Sequence, residues 1–98
     1  MTENKAIIVF TALAQETRLK TFRLLVASGE KGICPCEISE KLKIPRNTLS
    51  FHLSLLSQAG LCKSEKKGKS VIYKPVCSRI QETADFLIKN CCSIKEEE

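Results

Sequence analysis

The sequence predicts a mainly α-helical fold with one small β-hairpin, on the basis of three observations. Apolar residues recur at helical spacing through most of the chain, whose 98 residues are enough for one domain. Two β-prone runs within residues 61–76 flank a turn that contains a glycine. A short helix, a proline-marked turn and a second helix precede them. The fold class is therefore a single winged helix-turn-helix domain spanning residues 1–98.

Two helices are predicted before the helix-turn-helix. Residues 5–14 form the first, although its Ile-Ile-Val run leaves a β-strand open as an alternative. Residues 16–28 form the second, because Leu19, Phe22 and Val26 recur at helical spacing. We expect these three side chains to face the core.

The helix-turn-helix is predicted over about residues 34–60. Its first helix begins at Pro35, a residue suited to the first helical position, and ends before Pro45. The second helix ends before Gly60. Its buried face is indicated by three leucines spaced i, i+4 and i+7, namely Leu49, Leu53 and Leu56.

A hairpin and a last helix complete the predicted fold. The hairpin, or wing, covers about residues 61–76, with strands at 61–64 and 71–75 and a lysine-rich turn between them. A helix over about residues 78–92 and a frayed tail over 93–98 follow. Apolar residues spaced 3, 4, 3 and 4 form a stripe suited to a partner helix: Cys77, Ile80, Ala84, Leu87 and Cys91.

Charge is unevenly distributed along the chain. Residues 41–79 hold nine basic residues and one acidic residue, a local charge of +8, whereas residues 80–98 carry −3. A basic middle segment is typical of a surface that faces a polyanion. No stretch approaches the roughly 20 apolar residues of a membrane span, and the first residues lack a secretory signal pattern. We therefore expect a cytoplasmic protein with reduced thiols and no membrane partner.

The second helix of the helix-turn-helix is the predicted reading helix, with double-stranded DNA as the partner. Short polar side chains suit the base edges of the major groove, whereas basic side chains hold phosphates. His52 is either a phosphate contact, a metal ligand or a half-buried packing residue. The candidate DNA-binding residues are Arg46, Asn47, Thr48, Ser50, Phe51, His52, Lys66, Lys67 and Lys69.

Other chemistry is poorly supported by the sequence. A thiol enzyme needs a base beside its cysteine, yet the only histidine, His52, lies in the helix expected to read DNA. A structural zinc module is disfavoured because no C-x-x-C motif is present and the apolar pattern indicates a core that folds without metal. We therefore expect no catalytic residues and no cofactor required for folding.

Three segments together carry a family resemblance: ALAQETRLKTFRLL, CEISEKLKIPRNTLSFHLSLLSQAGL and KGKSVIYKP. The chain resembles the ArsR/SmtB family of metal-sensing transcriptional repressors from about Val9 to Cys92. The ending FLIKNCC is similar to that of one arsenic-responsive branch. The resemblance implies a homodimer formed through the first and last helices. It also implies that the protein binds operator DNA when metal-free and leaves it when a metal or metalloid binds.

The same resemblance points to two thiol sites for As(III) or Sb(III), which prefer thiolate ligands. One is Cys34 with Cys36, where arsenic repressors often add a third cysteine and this chain has Ser39. There a helix N-terminus favours reactivity at Cys36. The other is Cys91 with Cys92, whose usual third cysteine is also missing.

The sequence favours Cys91 with Cys92 as the metalloid site, completed by Cys77 of the other subunit or formed by the two adjacent thiolates alone, and Cys34 with Cys36 is the second candidate. Cys77 lies 14 residues from Cys91, about 21 Å along one helix, so the two cannot share an ion within a subunit. In an antiparallel helix pair, Cys77 of one subunit meets Cys91 and Cys92 of the other. Zinc or cadmium as the effector, or thiols that sense oxidants or reactive sulfur, remain alternatives. Cys62, at the start of the wing, is expected to be a packing residue.

Overall fold

The computed structural model describes residues 1–94, in which helices and a hairpin follow the predicted order. The winged helix-turn-helix fold class is therefore confirmed. A 3₁₀ turn at Gly29–Lys31 separates the second and third helices. The elements are α1 (Glu3–Leu13), α2 (Glu16–Ser28), α3 (Pro35–Leu42), α4 (Arg46–Gln58), β1 (Cys62–Lys67), β2 (Ser70–Pro75) and α5 (Cys77–Ile88).

The N-terminal segment is helical, so the strand alternative for α1 is wrong. The Thr2 hydroxyl accepts a hydrogen bond from the Lys5 amide at 3.2 Å and caps the helix. In α2 the predicted inner face is only partly correct. Phe22 is buried, but Leu19 and Val26 are exposed, because α2 turns Thr21, Phe22 and Leu25 toward the core.

The core lies beneath the helix-turn-helix. The three leucines of α4 are buried as predicted, and they pack with side chains from α1, α2, α3 and the start of the wing. Lys43 closes α3 in the left-handed conformation with φ +55°, two residues before Pro45. The buried core residues that surround the α4 leucines are Val9, Ala12, Phe22, Leu25, Ile33, Ile38, Ala59, Leu61 and Cys62.

The wing is a longer and tighter hairpin than predicted. Its strands pair from Cys62 with Pro75 to Lys67 with Ser70, leaving a two-residue turn. Gly68 has φ +61°, the positive value that a type II′ hairpin turn requires at its first central residue. The extension escaped prediction because the added β1 residues are polar and exposed, so no apolar alternation marks them.

The last helix is shorter than predicted. It starts at Cys77 and ends at Ile88, so the predicted stripe does not run through one continuous helix to Cys91. Asn90 and Cys92 both have positive φ, +64° and +62°, in the turns that follow. Asparagine tolerates this conformation and was the available sequence signal for an earlier helix end. Most of the predicted tail, residues 95–98, lies outside the described residues.

No helix within residues 1–94 combines the length and the apolar character that crossing a membrane requires.

Candidate nucleic-acid interface and thiol pairs

Helix α4 separates an apolar inner face from a polar outer face. Leu49, Leu53 and Leu56 anchor it to the core. Phe51 is 60% exposed, which leaves an aromatic ring available for contact with an apolar group such as a thymine methyl. The outer face near the helix start consists of five exposed residues, all of them predicted DNA contacts: Arg46, Asn47, Thr48, Ser50 and Phe51.

His52 lies on the inner side of α4, apart from the other predicted contacts. It is 8% exposed, and Arg18 Nη1 donates a hydrogen bond to its Nδ1 at 3.4 Å. Burial and the positive charge of Arg18 both lower the pKa of His52, so its neutral form is favoured. We therefore correct its assignment as a DNA contact. The packing alternative agrees with its position.

Arg18 fixes the inner side of α4 to the N-terminal helices. Its Nε donates a hydrogen bond to the Ala12 carbonyl at 2.6 Å, in addition to the bond to His52. One guanidinium group thus links the end of α1, helix α2 and the reading helix. Sequence patterns gave no signal for this link, because His52 lies 34 positions from Arg18.

The wing presents its basic residues to solvent. Lys66, Lys67 and Lys69 are exposed at the tip of the hairpin. Its only acidic residue, Glu65, forms an ion pair with Lys74 at 3.0 Å, and this pairing lowers the pKa of Glu65. The tip therefore carries positive charge, while Lys74 is already engaged within the wing.

Two backbone hydrogen bonds join the wing to the start of α3. The Ile33 amide donates to the Tyr73 carbonyl at 3.0 Å, and the Tyr73 amide donates to the Ile33 carbonyl at 2.8 Å. Gly32 permits this approach, since a Cβ on it would lie 3.0 Å from the Tyr73 oxygen and 2.9 Å from Ile72 Cδ1. The wing is thereby held against the residue that precedes Cys34.

Cys34 and Cys36 form a close thiol pair at the N-terminus of α3. Their Sγ atoms lie 2.8 Å apart, with Cys34 half-buried and Cys36 exposed. The hydrogen bond from Cys36 lowers the pKa of Cys34, helped by the backbone amide of Glu37. The same bond raises the pKa of Cys36, although the charge of Arg46 acts in the opposite direction. These directions favour the thiolate at Cys34, whereas the sequence expectation placed the more reactive thiol at Cys36.

This thiol pair lines a groove that also includes the reading helix and the wing. The groove has a volume of about 310 Å³. The sequence did not predict it because its lining residues are spread over positions 34–71 and no pattern connects them. Its lining residues are Cys34, Pro35, Cys36, Arg46, Lys69, Ser70 and Val71. We call it the thiol groove.

Of the other four cysteines, three are exposed and one is buried. Cys91 Sγ and Cys92 Sγ are 3.4 Å apart in the turns after α5, and Cys77 is exposed at the first residue of that helix. Cys62 is buried, which raises the pKa of its thiol, and it contacts Ser57 at 3.3 Å. Its predicted packing role is confirmed. Within residues 1–94 no three His, Cys, Asp or Glu side chains are arranged to hold a metal ion.

Helices α1 and α5 pack together and leave apolar side chains uncovered. Leu87 and Ile88 of α5 are 62% and 66% exposed. On α1, Ile7, Ile8 and Phe10 are exposed as well. A chain of this size rarely leaves so many large apolar side chains exposed on two neighbouring helices unless another surface covers them.

Comparison with known proteins places these features in a family. A family model described as a helix-turn-helix domain matches residues 13–65. A helix-turn-helix-type transcriptional regulator of Methanocaldococcus jannaschii is 38% identical over 78 residues, covering 80% of this chain and 85% of the relative. The arsenic resistance transcriptional regulator ArsR1 of Pseudomonas putida is 30% identical over 90 residues, covering 92% of this chain and 68% of the relative.

A solved structure has the same fold. An ArsR-like transcriptional regulator from Rhodococcus matches with a TM-score of 0.77 and 27% sequence identity. The match covers 86% of this chain and 76% of the Rhodococcus chain.

Proposed function

Because this chain belongs to the ArsR/SmtB family of winged helix-turn-helix transcriptional repressors, we propose that a thiophilic metalloid releases it from operator DNA. The metalloid is arsenite or antimonite, and Cys34 and Cys36 hold it. The observation that carries this proposal is the 2.8 Å separation of their sulfurs within the helix-turn-helix itself. The protein acts in the cytoplasm, where these thiols stay reduced.

DNA binding is supported by the surface that α4 and the wing share. Asn47, Thr48 and Ser50 are short, polar and exposed, so they can reach base edges in the major groove. Arg46 and the wing lysines hold phosphates on either side and set the register of the protein on the duplex. Bound at a promoter, this surface blocks transcription.

A homodimer is supported by the exposed apolar residues of α1 and α5. Covering Ile7, Ile8, Leu87 and Ile88 with the same residues of a second copy removes them from water. A dimer also places two reading helices at a fixed spacing, which two half-sites about one helical turn apart require.

Arsenite and antimonite fit the pair because both are soft and prefer thiolate sulfur. The low pKa of Cys34 favours its thiolate, the form that binds. Zinc and cadmium accept thiolates too and are the alternative effectors. Binding releases DNA only if the metalloid prefers the state that does not bind DNA, and a preference of about 1–3 kcal/mol is typical of such coupling.

The site of Cys77 with Cys91 and Cys92 of a second subunit stays a prediction. Helix α5 ends three residues before Cys91, so these thiols depend on a turn rather than on a helix for their position. We rank this site second because its assembly needs both the dimer and that turn in one arrangement.

An oxidant-sensing repressor is the second candidate function. The 2.8 Å separation of the sulfurs favours it, because oxidation converts two thiols into one disulfide at short range. A peroxide would accept the two electrons and two protons that the thiols lose, and it would be reduced to water. The effector titration below separates this function from metalloid sensing.

The test is a DNA-binding titration on a duplex selected by the protein from a random-sequence pool. We expect arsenite to release the wild type, and a C34S/C36S variant to need at least about tenfold more arsenite, equivalent to 1.4 kcal/mol of lost coupling. The matched C91S/C92S variant should respond like the wild type. Release by peroxide alone would favour the oxidant sensor, and loss of response only in C91S/C92S would move the site to the C-terminal thiols.

A further inference from the structure

We propose that the thiol groove holds a DNA backbone phosphate, so that DNA and any group bound to Cys34 and Cys36 compete directly for one space. This inference rests on the proposed DNA-binding function and specifies how the effector acts. It differs from release through a shifted reading helix, because no part of the protein needs to move.

The first argument is the charge of the groove. Two cations line it: Arg46, the first residue of α4, and Lys69, at the tip of the wing. Residues 1–94 contain two ion pairs, Lys20 with Glu16 and Lys74 with Glu65. Neither pair includes Arg46 or Lys69. Two such cations and the Ser70 hydroxyl suit a phosphate, which accepts hydrogen bonds through all of its free oxygens.

The start of α4 adds to this charge. No side chain caps it, since Pro45 occupies the N-cap position, and its first turn contains no acidic residue. The backbone amides of an uncapped first turn lack hydrogen-bond partners and favour an anion. Arg46 therefore acts together with the positive end of a 13-residue helix.

The second argument is that both cysteines line the same groove. Cys36 is exposed, and the charge of Arg46 reaches its thiol. A metalloid or alkyl group on either sulfur would occupy part of the about 310 Å³ that a phosphate would use. An adduct that carries negative charge would also repel the phosphate and compete with it for Arg46 and Lys69.

The third argument is that the groove is held at a fixed width. The paired hydrogen bonds between Ile33 and Tyr73 tie the wing to the residue that precedes Cys34. Arg46 follows α3 after a three-residue turn, so the other wall is fixed as well. These contacts hold the wing beside the start of α3, so a thiol adduct and a phosphate would compete for the space between them.

The first experiment measures protection of the thiols by DNA. The full-length protein is alkylated with iodoacetamide, in which a thiolate forms one S–C bond and displaces iodide, with and without a saturating duplex selected from a random pool. Mass spectrometry of tryptic peptides separates residues 32–41, which hold Cys34 and Cys36, from the peptides of the other cysteines. We expect DNA to slow alkylation of this peptide at least about tenfold, while Cys91 and Cys92 react as they do without DNA.

The second experiment compares two adducts of nearly equal size. Iodoacetamide leaves a neutral group on the thiols, and iodoacetate leaves a carboxylate. We expect the carboxylate to weaken duplex binding at least about tenfold more than the neutral group, and the difference to shrink at high salt. The C34S/C36S variant, treated with both reagents, controls for alkylation at the remaining cysteines and should show no difference between them.

The outcomes separate this inference from the function on which it rests. If no selected duplex binds the protein, the proposed function fails and this inference fails with it. If the duplex binds but Cys34 and Cys36 alkylate at their free rate, or neither adduct weakens binding, DNA binding stands and the shared groove is wrong. Loss of binding with both adducts in a protein whose thiols DNA does not protect would indicate a shifted reading helix instead.

Discussion

The two thiol pairs differ in what holds them, although both consist of neighbouring cysteines with short Sγ–Sγ distances. Cys34 and Cys36 begin a helix that is anchored by a buried isoleucine and joined to the wing by backbone hydrogen bonds. Cys91 and Cys92 are fully outside α5, in turns with positive φ values. The first pair is part of the helix-turn-helix, whereas the second lies beyond the last helix.

The different positions of the two pairs determine how a ligand bound at each pair would affect DNA binding. A group bound to Cys34 and Cys36 acts within the thiol groove, beside Arg46 and Lys69. A group bound to Cys91 and Cys92 reaches the DNA-facing surface only through the proposed dimer helices. Identical chemistry at the two pairs therefore predicts unequal consequences for DNA binding.

The largest effect is expected from removing the support beneath the first pair. Ile38 of α3 is fully buried, so Ile38→Ala should lower the free energy of unfolding by about 2–5 kcal/mol. Ile94, which is 89% exposed beyond the second pair, is the matched position. Ile94→Ala should change stability by less than about 0.5 kcal/mol. Denaturant unfolding of both variants checks the contrast.

Similar losses for the two isoleucine variants would contradict the contrast. They would mean that the segment after α5 packs as firmly as α3, most simply against a second subunit. Repeating the unfolding at several protein concentrations distinguishes that case, because dimer stability depends on concentration.

A smaller effect is expected where the wing meets the first pair. Gly32→Ala combines a positive φ of +73° with contacts of 2.9–3.1 Å to Ile72, Tyr73 and Lys74, whereas Gly29→Ala has φ +60° and open space around it. Backbone strain should cost each variant about 1–3 kcal/mol, because both glycines combine a positive φ with an extended ψ. Gly32→Ala should lose about 1–3 kcal/mol more from crowding. Thermal unfolding and amide exchange at Ile33 and Tyr73 provide the measurements. Equal losses of stability in the two variants would show that the wing moves away from residue 32 without an energetic cost.

The order of elements was predictable from sequence because it depends on local patterns. Leucine spacing in α4 and the prolines at the start of α3 and α4 identified the helix-turn-helix, and the bounds of α2 agreed with prediction. The ends of elements that no apolar pattern marks were harder to predict. Strand β1 extends to Lys67 through hydrogen bonds between polar residues, and α5 ends at Ile88, shortly before Asn90 with its positive φ.

The sequence pattern indicated candidate site residues better than it indicated which of them lie together in the folded chain. Helical periodicity predicted which residues of α4 are exposed. It did not predict that His52 is buried on the inner side of α4, where Arg18 donates a hydrogen bond to it. That contact joins residues 34 positions apart. The thiol groove likewise joins α3, α4 and the wing, and single-chain patterns carry no information about such long-range contacts.

The smallest effect concerns the order in which the first pair ionises. Cys34 has a pKa below its ordinary value of 9.0 because Cys36 donates a hydrogen bond to it, so its thiolate forms at lower pH than that of an isolated thiol. Cys36→Ala removes the donor, raises the pKa of Cys34 and should slow its alkylation below pH 9. The rate should fall about threefold per pKa unit, since lost thiolate is partly offset by higher nucleophilicity. Alkylation rates of Cys34 measured across pH test this, with Cys77→Ala as a control that should leave them unchanged. An unaltered pH profile in Cys36→Ala would mean that the two sulfurs ionise independently, and the first pair would then differ from the second only in position.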